Sequence, residues 1–222
     1  MAHEHDHEHD HEHGHDHAHD HAHDHDHAHD HDHDHDHELS EEQIESIRNR
    51  EREELRRFAL AQIRQYPDHA LRLKAKDVTE FDDYLNALVE RMLHMMQDAQ
   101  GVGLAATQLG ILQRVFVFEL EGEAPQAVVN PRIVDASKET ETDEEGCLSL
   151  EGVRVPVERP TKVTLEGVDP EGRELRLELE GLGARVVQHE SDHLDGVLII
   201  DRTDEEHRKE AMAILRPKTV LR

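Results

Sequence analysis

The chain has 222 residues, with 52 acidic and 25 basic side chains and a formal net charge of −27. This balance, without a basic patch, argues against a nucleic-acid partner, and no apolar run or signal peptide points to a membrane or to export. The single cysteine cannot form an internal disulfide, which favours a reducing, cytoplasmic location.

Residues 1–38 differ in composition from the rest of the chain. Histidine occupies every odd position from His3 to His37, which accounts for 18 of the 23 histidines, and Asp, Glu, Ala or one Gly stands between them. Because it has so little apolar surface, we expect this tail to be disordered when it is free of metal. The remaining 184 residues are enough for one domain with a buried core.

The first predicted helix begins after the tail. Ser40, with Gln43 three residues later, is typical of a capping box, and the charged stretch that follows predicts a helix to about residue 65. We therefore divide the rest of the chain into a helical extension, residues 39–62, and a main domain, residues 63–222.

A second helix is predicted from a cap at Thr79 to about Ala99, because apolar side chains recur there at helical spacing. They are Phe81, Leu85, Leu88, Val89, Met92, Leu93 and Met96.

The middle of the chain has the composition of strands, and helical spacing returns near the end. The predicted strands are 114–120, 127–129, 162–168, 174–180 and a short buried strand at 197–200. Helical spacing over 182–195 predicts a third helix, and Thr203 with Glu206 predicts a capping box for a last helix to about Leu215. Helices at both ends of a strand-rich middle indicate an α+β fold.

The third predicted helix carries the strongest chemical motif, His-Glu-Ser-Asp-His. His189 and His193 lie one turn apart on one face, so both imidazoles can reach one metal ion, and Glu190 can take a proton from a water beside it. The alternative is a pair of core histidines. A catalytic site needs a third ligand. Downstream, one class of zinc protease has a histidine where this chain has Ile199, while Asp201 and His207 remain as candidates.

Two upstream segments supply further candidates. Cys147 is the only cysteine, and a thiolate ligand favours soft or borderline metals, although a lone cysteine is usually a small buried side chain. The small-residue segment 101–108 is expected to be a loop between a helix and a strand, where glycines let a ligand approach the backbone. Its Gln108 could stabilise an oxyanion, whereas a tight packed turn is the alternative.

Together the three segments resemble the peptide deformylase family. The family motifs G-x-G-L-A-A-x-Q, E-G-C-L-S and Q-H-E-x-D-H-L are present, in order, at 101–108, 145–149 and 188–194. The resemblance runs from about Ile63 to the C-terminus. It implies antiparallel or mixed strands around a central metal-binding helix, with helices at the N- and C-terminal ends.

The resemblance also implies a reaction and roles for five residues. The substrate would be an N-formyl-methionyl peptide, with the translating ribosome as a candidate partner, and the products would be formate and a free amine. Cys147, His189 and His193 would hold the metal, and Glu190 would move the proton. The Gln108 amide and the Leu148 backbone N–H would bind the oxyanion.

A binding pocket for the methionine follows from the same resemblance. Val102, Gly103 and the strand after Cys147 would pair with the peptide backbone. Val102, Leu182, Val186 and the metal helix would contact the methionine side chain. Arg154 would contact the substrate. The chain departs from the family pattern close to this residue, because many members carry a proline two residues after the E-G-C-L-S motif and this chain has Glu151 there.

The resemblance implies one divalent metal, typically Fe²⁺, with Zn²⁺, Ni²⁺ or Co²⁺ able to use the same ligands. The alternating imidazoles and carboxylates of the tail suit further divalent metals, which suggests a metal buffer, with a purification tag or a repeat expansion as alternatives. Two other functions stay open, a metalloprotease and a non-catalytic metal-binding protein.

Overall fold

The structure is a computed structural model that describes residues 39–216. The expected disorder and metal binding of residues 1–38 lie outside the described residues, as does the end of the predicted main domain, 217–222. Within 39–216, no helix is long and apolar enough to cross a membrane.

Four helices and seven strands make up the described chain. The helices are α1 (Glu41–Gln62), α2 (Asp83–Asp98), α3 (Gly181–Leu194) and α4 (Glu205–Ile214). The strands are β1 (Gly103–Ala105), β2 (Val115–Phe118), β3 (Gln126–Ala136), β4 (Thr140–Gly146), β5 (Arg154–Pro160), β6 (Lys162–Val168) and β7 (Glu174–Glu180). Short 3-10 turns lie at His69–Arg72, Ala106–Leu109 and Ile199–Asp201.

The strands form two antiparallel sheets. One has five strands in the order β1-β2-β3-β6-β7, and the other is the hairpin β4-β5. Helix α3 packs against both sheets, and α2 packs on β1 and β2. The predicted α+β fold with a central helix is therefore confirmed.

The predicted start of α1 is confirmed. The Ser40 side chain accepts a hydrogen bond from the backbone of Gln43, and the Gln43 side chain accepts one from the backbone of Ser40. Only the end of α1 is buried in the core with α2, through Ala59 and the following Ile63. The extension is therefore anchored at its C-terminal end.

The predicted cap of the second helix was wrong. Helix α2 begins at Asp83, and Asp82 caps it by accepting a hydrogen bond from the Leu85 backbone. Thr79 lies outside the helix, and Phe81, which we expected in the core, is 41% exposed. A carboxylate one residue before the helix supplies the capping that we assigned to the threonine.

Three predictions near other elements were also wrong. Residues 197–200 are not a strand but run into a 3-10 turn, although Leu198, Ile199 and Ile200 are buried as expected. Asp204, not Thr203, caps α4. The segment 101–108 is not simply a loop, because β1 and a 3-10 turn occupy most of it.

Candidate metal and catalytic site

Helix α3 and the end of β4 bring the three predicted metal ligands together. The donor atoms of Cys147, His189 and His193 all lie within 4.8 Å of one another. The Cys147 Sγ is 3.2 Å from the His193 Nε2, and the two imidazole centroids are 5.0 Å apart. The one-turn spacing on α3 and the position of Cys147 directly after β4 account for this cluster.

This donor set fits a divalent metal. One thiolate and two imidazoles are ligands that zinc and neighbouring transition metals accept, and three protein ligands leave a position for water in a catalytic site. Burial lowers the pKa of His193 well below its usual value. Burial acts in the same direction on His189, but its hydrogen bonds to Cys147 and Glu145 outweigh burial and raise that pKa.

The other candidate ligands lie elsewhere. Within residues 39–216, no other group of three or more His, Cys, Asp or Glu side chains has its donor atoms within 4.8 Å of one another. Asp201 forms an ion pair with Arg72, and the His207 Nδ1 lies 2.7 Å from an Asp204 carboxylate oxygen. Ile199 is buried in the core.

Glu145 orients His189. The His189 Nδ1 lies 2.9 Å from a Glu145 carboxylate oxygen, which leaves Nε2 for a metal. Burial alone would raise the pKa of Glu145, but hydrogen bonds from His189 and Arg159 outweigh it and lower that pKa to about 2. A carboxylate in this position fixes the ring orientation and increases the basicity of the ligand.

A buried ion network holds Glu145 in place. Arg159 donates to both Glu145 oxygens, at 2.6 and 2.9 Å, and to Asp192 at 2.9 Å. Arg185 adds a bond to Glu145 at 2.8 Å, and Arg202 also pairs with Asp192. Sequence reasoning missed this network. Glu145 is the first residue of the E-G-C-L-S motif, but nothing in the sequence indicated that Arg159 on β5 would contact it.

Glu190 is buried beside the ligand cluster. Its Oε2 atom has no hydrogen-bond partner among the described residues. Burial raises the pKa of this carboxyl to about 7, a value at which a group can both accept and return a proton near neutral pH. A Cβ atom added at Gly103 would collide with this carboxylate, so the glycine of β1 makes room for it.

Gln108 and Leu148 lie beside Cys147. The Gln108 side chain accepts a hydrogen bond from the Ala105 backbone at 2.8 Å and donates to the Ser149 hydroxyl at 3.1 Å. Its Nε2 is 3.8 Å from the Cys147 sulfur. The Leu148 carbonyl accepts from Gln65 at 2.8 Å, which fixes this segment beside the metal ligands. Sequence reasoning missed Ser149 and Gln65.

These groups surround a cavity of about 600 Å³, which we call the site cavity. The residues predicted for the substrate pocket all line it, namely Val102, Gly103, Arg154, Leu182 and Val186. Val102 and Leu182 are 51% and 59% exposed, so they offer apolar surface to a ligand. Their role in binding stays a prediction. Arg56 and Leu60 of α1 also line the cavity, and sequence reasoning missed both.

Comparisons with known proteins agree on one family. The family model described as polypeptide deformylase matches residues 60–209. The chain is 47% identical over 153 residues to a peptide deformylase of Natranaerobius thermophilus, covering 69% of this chain and 98% of that protein. It is 46% identical over 159 residues to one of Acidothermus cellulolyticus, covering 72% and 87% respectively.

Solved structures give the same answer. A peptide deformylase from Legionella pneumophila superposes with a TM-score of 0.66 at 39% identity, over 69% of this chain and 91% of that one. One from Thermotoga maritima gives 0.62 at 48% identity, over 64% and 96%. Since both the sequence match and the fold span nearly all of these relatives, the chain belongs to the peptide deformylase family of metal-dependent hydrolases.

Proposed function

We propose that this chain hydrolyses the formyl amide at the N-terminal methionine of nascent polypeptides and releases formate. The observation that carries the proposal is that Cys147, His189, Glu190 and Gln108 line one cavity, while His193 completes a donor cluster with Cys147 and His189. A metal-binding role alone requires neither Glu190 nor Gln108. The substrate class rests on the family, and the cavity is the place where we expect the reaction.

The metal ligands would be Cys147, His189 and His193. A divalent metal bound there would act as a Lewis acid on the formyl oxygen and lower the pKa of water. Glu145 would hold the His189 ring so that its Nε2 faces the metal.

Glu190 would carry the proton. Its unpaired carboxylate oxygen would accept a proton from the attacking water as the water oxygen bonds to the formyl carbon. The same carboxyl would then give that proton to the amine nitrogen as the C–N bond breaks. The products are formate and a methionine with a free amino group.

Two groups would stabilise the oxyanion that forms at the formyl oxygen. The Gln108 amide carries two N–H donors. One reaches the Ser149 hydroxyl at 3.1 Å, and the other has a long contact of 3.8 Å to the Cys147 sulfur, which an oxyanion would replace. The backbone N–H of Leu148 would be the second donor. Preorganised donors of this kind are worth several kcal/mol, about 2.7–4 for one donor in a measured case.

The substrate backbone would add a strand to the sheet at β1. This strand is one of the two outer strands of the five, so within the described residues one of its edges has no neighbouring strand. Val102, Leu182 and Val186 would contact the methionine side chain, Gly103 would let the peptide approach closely, and Arg154 would contact the residues that follow.

For the metal we propose Fe²⁺, on the family resemblance, while Zn²⁺, Ni²⁺ and Co²⁺ suit the same donors. A ferrous site with a thiolate ligand is exposed to oxidation, so activity should decay faster in air than under anaerobic conditions. Equal decay rates would contradict the assignment of iron. We place the reaction in the cytoplasm, where the substrate leaves the ribosome.

We further propose that residues 1–38 buffer the divalent metal used at the site. Support comes from the composition alone, in which imidazoles alternate with carboxylates. Removal of residues 1–38 should speed metal loss to a chelator. Unchanged metal retention would contradict the buffering role and leave the enzymatic proposal intact.

The test of the main proposal is formate release from formyl-Met-Ala-Ser by anaerobically prepared, ferrous protein. We expect turnover of this peptide, none of acetyl-Met-Ala-Ser, and no cleavage of a protein with a blocked N-terminus. Cleavage of the blocked protein would favour a metalloprotease. Metal bound at about one ion per chain after deletion of residues 1–38, without turnover of any substrate, would favour a metal-binding protein.

A further inference from the structure

The last turns of α1 form part of the wall of the site cavity. Arg56 and Leu60 line it together with Cys147 and Glu190. The family model matches residues 60–209, so Arg56 lies just before the matched segment, on a helix that runs into it. This chain therefore contributes a charged side chain to the cavity from outside the matched segment.

The end of α1 is held firmly against the site. Ala59 and Ile63 are 2% and 3% exposed within the core. Directly after the helix, the Arg64 backbone donates to the Gln108 carbonyl at 2.7 Å, and Gln65 donates to the Leu148 carbonyl. The chain that follows α1 is thus tied to the residues of both proposed oxyanion donors, which anchors the last turns of α1 at the site cavity.

The guanidinium of Arg56 is available to a ligand. Among residues 39–216 its ion-pair partner is Glu53, at 3.7 Å on the same exposed helix face, and its side chain is 34% exposed. By contrast, Arg185, which also lines the cavity, is committed to Glu145. A guanidinium offers several donors in a planar fork that matches a carboxylate.

We infer that Arg56 is a specificity-determining residue that binds carboxylates in the residues following the formyl-methionine. This inference rests on the proposed function. Two exposed acids, Glu144 and Glu151, also line the cavity and repel such a substrate. These acids set the overall preference between acidic and neutral peptides. The contribution of Arg56 is therefore measured as the change in that preference when its charge is removed.

The test compares two C-terminally amidated peptides, formyl-Met-Ala-Glu-Glu-amide and formyl-Met-Ala-Gln-Gln-amide, which differ only in their carboxylates. We expect Arg56→Gln to lower the ratio of their kcat/KM values about two- to fivefold, as for an exposed ion pair, mainly through KM. Arg56→Glu should lower it further, and added salt should weaken the effect.

Arg57→Gln is the matched control, because Arg57 is the next residue on α1 and belongs to the surface around Leu55 and Phe58 instead. It should leave the ratio unchanged. An unchanged ratio in Arg56→Gln, or an equal fall in both variants, overturns the inference. Failure of the proposed function looks different, since the wild-type protein would then release formate from neither peptide.

Discussion

Gly103 leaves room for the Glu190 carboxylate beside the candidate metal ligands. A Cβ atom there would collide with the Glu190 carboxylate. We predict that Gly103→Ala displaces this carboxylate, so that kcat for formate release falls at least about tenfold while the metal content stays the same. Metal analysis and steady-state kinetics on the same preparation check this.

The control for the glycine prediction is Gly122→Ala. Gly122 lies in a turn at φ 80°, with no heavy atom within 4 Å of an added Cβ, so alanine strains only the local backbone. It should lower stability without lowering kcat. If the two variants lose kcat equally, the contact between Gly103 and Glu190 does not explain the loss.

Arg159 is the most consequential charge outside the ligand set. It is 5% exposed and pairs with both Glu145 and Asp192. Because Arg159→Met would leave two buried carboxylates short of a partner, we expect it to lower the free energy of unfolding by about 3–5 kcal/mol. Urea denaturation measures this change.

An exposed ion pair supplies the comparison for Arg159. Arg176 pairs with Glu166 on the surface of the β6-β7 pair, and Arg176→Met should change the free energy of unfolding by less than about 1 kcal/mol. If both variants lower the free energy of unfolding by similar amounts, the burial of the Arg159 ion pairs does not increase their effect on stability.

At the scale of elements, the N-terminus of α4 shows that two adjacent residues, Thr203 and Asp204, have different roles. The Asp204 carboxylate accepts from the His207 backbone at 2.9 Å, whereas the buried Thr203 hydroxyl has no partner in the described chain. We expect Asp204→Ala to cost about 0.5–2 kcal/mol of stability. Thr203→Val should cost nothing or stabilise, because it removes an unpaired buried hydroxyl. Thermal unfolding of both variants decides whether Thr203 is the cap after all.

Strand boundaries show what local sequence can predict. Strands β6 and β7 have the predicted limits, since apolar residues alternate on either side of a turn at 169–172. Strand β3 is longer than the predicted 127–129. It continues through Pro131 because the pairing with β6 shifts register between Val129 and Arg132, next to Asn130 at φ 51°. A β-bulge tolerates proline, but only the partner strand reveals it.

At the scale of the whole molecule, the sequence predicted the ligand cluster but not its support. The histidine spacing and the three ordered motifs were sufficient to predict that Cys147, His189 and His193 lie close together, as they do. Arg159 reaches the site from β5, the second strand of the hairpin that ends beside Cys147, and Arg56 reaches it from α1. Neither has a local signature, because an arginine on a strand or on a charged helix usually faces solvent.

We propose that Glu190 moves the proton during hydrolysis at the cluster of Cys147, His189 and His193. The most direct test compares formate release by wild type and Glu190→Gln, both anaerobic and loaded with equal iron per chain. We predict that the variant keeps its metal and loses about 10²–10⁴-fold in kcat, the usual contribution of a positioned acid–base group. Turnover by the metal-loaded variant at the wild-type rate would contradict the account.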